Sequence, residues 1–521
     1  MKMQSLKKTR LVLLLTLICL MSCSLHADAR GITGRAKHII LFVGDGMQLE
    51  HEIATSRYLF GKDDGLSFHG LWYKGNVATW DVTTYNKYAG TLSTSPYAPT
   101  GFDPLVGYDP AKGGKKPYPL QSTGFDDSYF LTKINGKIPA TDSASAATAW
   151  STGHKTDDGN IAWLPSDPAD GALKTIAELL REEKGFAIGV VSTVPFSHAT
   201  PAAFVSHNVT RNDYHGIARE IIRTVQPEVV IGGGYPGPSG TNKMQYLAQG
   251  EYDYLKFDSN SPYVFVERTE LADGSVKLFE GALEAVSEGK KLFGLFGGPD
   301  GNFESPVPWD FPETPLVTRA TIENPLLADA TQAALKVLSA DPDGFFLMVE
   351  QGDIDWANHA NDFHRMIGTT WDLHKAVQAA IDFVNRPGDN MDWSNTLMIV
   401  TADHSNSYMR LSESMKLGAG DLPQQVAGGS CPYDPTKTCF NYPAGEVTYS
   451  TGDHTNELVM LYAQGAFQSP LLHKYEGSWY PCTRILDNTQ LYHFMTTAAG
   501  VPTTSALKPS IRRPVPCRDF N

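Results

Sequence analysis

The 521-residue chain has few cysteines, six in all, and is short of positive charge, with 43 Lys and Arg against 57 Asp and Glu. So few cysteines exclude a disulfide-dense small scaffold, and the fold must rest on a core, for which 41% hydrophobic residues suffice. A net charge of -14 excludes nucleic acid as an electrostatically steered partner. Beyond the N-terminal leader no run is apolar enough to span a bilayer, and there is no internal repeat or low-complexity tail. No G-x-S-x-G elbow is present for an ester hydrolase. Gly153-His154-Lys155-Thr156 has the end of a P-loop without its upstream glycine, and Gly232-Gly233-Gly234 lacks the spacing of a dinucleotide fingerprint. Length alone allows one large α/β domain or two or three smaller ones.

The leader itself is informative. Lys2, Lys7, Lys8 and Arg10 precede an apolar run from Leu11 to Met21, and Ala27-Asp28-Ala29 offers a cleavage site, so residues 1–29 read as a signal peptide. The expected protein is exported, periplasmic or secreted, with a net charge of about -17 once the leader's four basic residues and one acid are removed. Cys23 opens a lipoprotein alternative that Met21 weakens. Export permits disulfides, and the four later cysteines allow three pairings. Cys431 and Cys439 lie close together in a Gly/Pro loop, so the expected pairs are Cys431 with Cys439 and Cys482 with Cys517.

Short apolar runs at 38–43, 186–191, 229–232, 345–349, 396–400 and 458–462 alternate with helical periodicity at 173–183, 214–224, 326–338 and 368–384. Continuous apolarity indicates strands covered on both faces, hence an α/β protein with a large, mostly parallel central sheet in a three-layer α/β/α sandwich. Two stretches, about 85–135 and 405–450, break this rhythm as irregular insertions; a lid, a subunit contact or surface decoration would each explain them. Polar residues collect just after the runs: Asp45 follows the first, His198 and Thr200 the second, Glu350 the fourth, and Asp403 and His404 the fifth. Open α/β sheets place their sites beyond such strand ends.

Thr141-Asp142-Ser143-Ala144-Ser145-Ala146-Ala147 carries the candidate nucleophile. Asp and Ser favour a helix N-cap and the alanines propagate the helix, so Ser143 should sit among outward-pointing backbone N–H groups, where an anion is favoured. Alone, the stretch reads as an ordinary capped helix. Asp355 and His359, spaced i, i+4, share a face if helical, and His454 would complete a zinc set. Asp403, His404 and Asp45 make a second set of similar character. Glu350, Asp45 and Thr200 make an all-oxygen set suited to Mg2+. Any one of these residues could be a capping or hydrogen-bonded polar group.

Taken together, Asp45-Gly46-Met47, Thr141-Asp142-Ser143-Ala144, His198-Ala199-Thr200-Pro201-Ala202, Thr210-Arg211, the stretch from Glu350 to His359, Thr401-Ala402-Asp403-His404 and Gly452-Asp453-His454-Thr455 stand in the order seen in alkaline phosphatases. The resemblance runs from about Lys37 to about Tyr462. It implies a single domain over 30–521 that hydrolyses small-molecule phosphate monoesters and forms a homodimer. Ser143 would be the phosphorylated nucleophile and would touch the second of two zinc ions. Asp355, His359 and His454 would hold the first zinc; Asp45, Asp403 and His404 the second; Asp45, Thr200 and Glu350 one magnesium. Arg211 would clamp the phosphoryl group.

Departures from the family pattern are His198 and Trp356, a pair similar to that of marine, cold-adapted bacterial forms. An imidazole at 198 should lie near the magnesium through water, and Trp356 in place of a cation implies weaker product binding, which Trp356→Lys would reverse. Gly297 and Asn324 stand where animal members place calcium ligands, so no calcium site is expected there. His207 and His215 read as satisfied surface residues. The rival readings are a phosphodiesterase, sulfatase or phosphosugar mutase on the same scaffold, or an exported protein that binds zinc or phosphate without turnover.

Overall fold

A computed structural model describes residues 35–503 apart from 118–126, 238–243, 389, 413–416, 432–435 and 468. The stretch 1–29, expected to be a signal peptide, and Cys517 therefore lie outside the described residues. Among those described, no helix is long and apolar enough to cross a membrane.

Ten strands form one sheet: β1 (His38–Gly44), β2 (Tyr73–Ala78), β3 (Ala187–Pro195), β4 (Val229–Gly233), β5 (Tyr263–Glu267), β6 (Lys291–Leu295), β7 (Phe345–Gln351), β8 (Thr396–Thr401), β9 (Val459–Gly465) and β10 (Ile485–Asp487). Their order is β10-β2-β9-β8-β1-β7-β3-β4-β6-β5. Only β9 runs against its neighbours β8 and β2; every other pairing is parallel. The central strands β1, β3, β7 and β8 are buried along their whole length, as continuous apolar runs covered on both faces must be.

Helices cover the two faces. Leu327–Leu338, Phe363–Val384, Gly274–Glu288 and Leu49–Phe60 pack together on one side, and Ser143–Thr152, Ile176–Lys184, Ala199–Val205 and Thr489–Ala498 on the other. Ile176–Lys184 shows how local sequence sets its ends. Thr175 accepts from the Glu178 amide while Glu178 returns a bond to the Thr175 amide, and Gly185 (φ 73°) closes the helix in the left-handed region. The helix expected from 173 thus starts at 176, where the capping box allows it.

The two stretches expected to be irregular carry more order than that. The first opens with the helix Val82–Leu92, capped by Asp81, and its aromatic residues build a second core of Trp80, Tyr85, Phe102, Tyr108, Phe130 and Tyr480. Aromatic packing replaces periodicity there, which is why periodicity did not reveal it. The second folds into short antiparallel pairs, Met409–Leu411 with Val447–Tyr449 and Val426–Ser430 with Thr438–Asn441. Cys431 and Cys439 are bonded to one another beside the latter pair.

Candidate active site

The register of the sheet brings the strand ends level. Val43 pairs with Glu350 on one side and Thr401 on the other, and Ser192 pairs with Glu350. Asp45, Glu350 and Asp403 therefore emerge along one edge. Asp355 and His359 follow on the helix Asp353–His359, which starts directly after β7. Gly46 must lie close to them: at φ 68°, a Cβ there would meet Asp355 Oδ1 at 2.8 Å, so only glycine admits this approach.

Two ligand clusters result. Asp355, His359 and His454 converge, with His359 Nε2 3.1 Å from Asp355 Oδ2, His454 Nε2 3.4 Å from Asp355 Oδ1 and the two Nε2 atoms 3.2 Å apart. Each imidazole is oriented from behind, His359 Nδ1 lying 2.6 Å from the Gly452 carbonyl and His454 Nδ1 2.9 Å from that of Thr141. That leaves the Nε2 atoms facing one point, the arrangement typical of metal-ligating histidines. Asp45, Asp403 and His404 form the second cluster, with His404 Nε2 3.1 Å from Asp403 Oδ2 and 3.5 Å from Asp45 Oδ1.

A third set is recognisable from unsatisfied oxygens. Asp45 Oδ1, Thr200 Oγ1 and Glu350 Oε1 are buried without a hydrogen-bond partner. Native interiors rarely tolerate such a concentration. Burial, and next the charges of Asp403, Asp355 and Glu350, push Asp45 well above the ordinary carboxylate range, and burial lifts Glu350 to about 7. Cations among these groups would remove both penalties, so the residues fit metal ions.

Ser143 is the first residue of the helix Ser143–Thr152, capped by Asp142, whose carboxylate accepts from the Ser145 amide. Ser143 Oγ lies 3.4 Å from both Asp45 Oδ2 and His404 Nε2, against the second cluster. Asp142 Oδ2 also accepts from Arg211 Nη1 at 2.9 Å. Burial would raise the Asp142 carboxyl, but the Arg211 guanidinium and the Ser145 amide outweigh it and hold it at about 2. The helix that starts at Ser143 and the Arg211 guanidinium are thus locked together by one carboxylate. His198 stands at the N-cap position of the helix bearing Thr200 without a side-chain capping bond; its ring stacks on Tyr214 at 6.1 Å and lies 6.3 Å from the Trp356 ring.

The family model described as alkaline phosphatase matches residues 118–419. The alkaline phosphatase of Escherichia coli K12 is 32% identical over 414 residues, 73% of this chain and 79% of that one. Alkaline phosphatase 3 of Bacillus subtilis is 30% identical over 390 residues, covering 73% of this chain but 64% of its own length.

The chain belongs to the alkaline phosphatase family.

Solved alkaline phosphatases share the fold. That of Thermus thermophilus superposes with a TM-score of 0.57 at 21% identity, over 92% of this chain and 95% of that one. That of the Antarctic bacterium TAB5 gives 0.53 at 21% identity, over 90% and 99%.

Several supporting residues of the site escape motif reading. Ser192 donates to Glu350 Oε2. Asn406 donates to Asp355 Oδ1 at 2.6 Å, and the Gly46 amide to Asp403 Oδ1 at 2.9 Å. Gly46 stands two residues past β1, but Ser192 lies within β3 and Asn406 five residues beyond β8, where spacing gives no signal. Other histidines and glycines resolve differently. His207 bridges Glu178 and Glu220, and His215 Nε2 contacts the Met244 carbonyl at 2.7 Å. Lys155, in the P-loop-like tetrad, is buried against Asp487 at 2.9 Å and the Trp80 ring at 4.0 Å, so it cannot meet a phosphate. Gly297 and Asn324 bond to each other, and Arg268 Nη1 reaches the Gly297 carbonyl at 2.8 Å and Glu304 at 2.7 Å, putting a guanidinium at that place.

Proposed function

We propose that this protein hydrolyses phosphate monoesters through a phosphoseryl intermediate on Ser143, using two zinc ions and one magnesium. The observation that carries the reading is the convergence of one hydroxyl, two His/carboxylate clusters and a third set of orphaned oxygens from six separate segments. Asp355, His359 and His454 would hold one zinc, Asp45, Asp403 and His404 the other, beside Ser143, and Asp45, Thr200 and Glu350 the magnesium. A variant of the TAB5 enzyme is described with Mg in its M3 site, which accords with a third, magnesium-binding position. When bound, such ions act as Lewis acids that lower the pKa of a coordinated oxygen and offset phosphoryl charge.

The protein's own part follows from placement. At the helix N-terminus, Ser143 Oγ meets an incoming phosphoryl group where backbone N–H dipoles favour negative charge. Its oxygen attacks phosphorus in line; the O–P bond forms as the ester P–O bond breaks and the leaving oxygen takes a proton to depart as alcohol. Water then displaces the serine oxygen, releasing phosphate and restoring the hydroxyl. Arg211, oriented by Asp142 through one nitrogen, offers its remaining N–H groups to two phosphoryl oxygens, a fork that suits a dianion better than a diester. Export and a homodimeric state belong to the same reading, through the leader and the motif resemblance.

The test is release of p-nitrophenol from its monoester, abolished by chelator, restored by Zn2+ with Mg2+, and absent in Ser143→Ala. No turnover, or a diester hydrolysed faster than the monoester, would assign the protein to one of the rival readings, and chelator-insensitive turnover would overturn the metal assignment.

A further inference from the structure

At the opposite end of the nucleophile helix, about 15 Å from Ser143 for ten residues, the chain turns at Gly153 (φ 76°) beside a cavity of about 420 Å3. His154, His493, Thr152, Lys174 and Thr503 line it. His493 is 6% exposed, and its Nε2 is buried without a hydrogen-bond partner. That nitrogen lies against the helix end, 3.3 Å from where a Cβ on Gly153 would sit.

The hydrogen bonds accommodate the tautomer that a metal ligand needs. Thr496 donates to the His493 carbonyl at 3.3 Å, Thr503 Oγ1 is 3.2 Å from Thr496 Oγ1, and His493 Nδ1 is 2.7 Å from Thr503 Oγ1. When Thr496 donates to the carbonyl and Thr503 to Thr496, Nδ1–H donates to Thr503 and the proton is held away from Nε2. The Nε2 lone pair then lies buried and unpartnered beside Gly153 and the adjoining His154, with Nδ1 held from behind as in His359 and His454.

The occupant follows from the lining. Lys174 is already paired with Glu182 at 2.6 Å, and the helix ends here with its negative pole, so an anion is disfavoured and a cation favoured. The described lining contains no carboxylate, which disfavours Mg2+ and Ca2+, whereas imidazole suits zinc, nickel and copper. Burial holds both imidazoles below their ordinary range, His493 at about 4, so both are neutral at pH 7, as ligands must be.

We propose that His154 and His493 form a binding site for a divalent transition-metal ion at the back of the helix whose first residue is Ser143. The test is calorimetric titration of the zinc- and magnesium-loaded enzyme with Ni2+, with metal content measured after equilibrium dialysis. The expected result is one Ni2+ per chain beyond the initial complement. His493→Gln should abolish it, and His154→Gln should weaken it by about tenfold or more, with phosphatase activity retained in both. Should His493→Gln fail to fold, the half-exposed His154→Gln decides alone. Absence of the extra equivalent in the wild type, or its persistence in the variants, overturns the proposal; neither outcome bears on the phosphatase reading.

Discussion

Replacing Ser192 by alanine probes the support beneath the proposed magnesium position. Ser192 faces Glu350 across the β3–β7 register; its hydroxyl donates to Glu350 Oε2 at 2.5 Å and accepts the Val194 amide at 3.1 Å. Both side chains are fully buried, so water cannot take over either bond. A hydrogen bond to a charged group contributes about 1.5–3 kcal/mol. At about 1.4 kcal/mol per factor of ten, that is roughly 10- to 150-fold in affinity for an ion held by Glu350. The same range, about 10- to 100-fold, is usual for partners of metal ligands. The assay is activity of zinc-loaded, magnesium-stripped enzyme against free Mg2+. Ser192→Ala should move the midpoint upward by that factor while kcat at saturating Mg2+ stays near wild type, and Ser192→Thr, which keeps the hydroxyl, should move it little. An unchanged midpoint, or a loss that Mg2+ does not restore, would refute the reasoning.

Removing the guanidinium should show in substrate preference. Arg211→Ala should lower kcat/KM for monoesters by about 10^2- to 10^3-fold, and for diesters by much less, in parallel steady-state assays. It also strips Asp142 of the charge that holds its carboxyl at about 2. His207 supplies a pH signature of stability. Burial would lower its pKa, but Glu178 and Glu220 outweigh that and raise it from 6.5 to about 10. A folded pKa above the unfolded value means that the stabilisation is complete just below pH 6.5 and fades as pH rises through about 10. The Tm gap between wild type and His207→Gln, worth about 1–2 kcal/mol after solvent screening, should be widest near pH 6 and close by pH 10; a gap independent of pH would contradict this.

What the sequence made legible was chiefly the centre of the sheet and its carboxyl edge. β1, β3, β4, β7, β8 and β9 contain continuous apolar runs, and the acids Asp45, Glu350 and Asp403 stand within two residues of where the register aligns β1, β7 and β8. The outer strands β2, β5, β6 and β10 were not legible. β10 has only three residues, and β2 and β6 carry an internal glycine, because a strand near a sheet edge needs less apolar surface than one buried on both faces. The reversed direction of β9 leaves no trace in composition. Ser192 and Asn406 were missed for another reason: their roles arise from cross-strand and cross-segment pairing, which spacing along the chain does not encode.

The central claim is that Ser143 itself accepts the phosphoryl group, and the stereochemical course of transfer from a monoester made chiral at phosphorus to an acceptor alcohol tests it most directly. Two successive in-line displacements, the first by Ser143 Oγ, predict net retention of configuration. Net inversion would mean a single displacement without a phosphoseryl intermediate and would contradict the account.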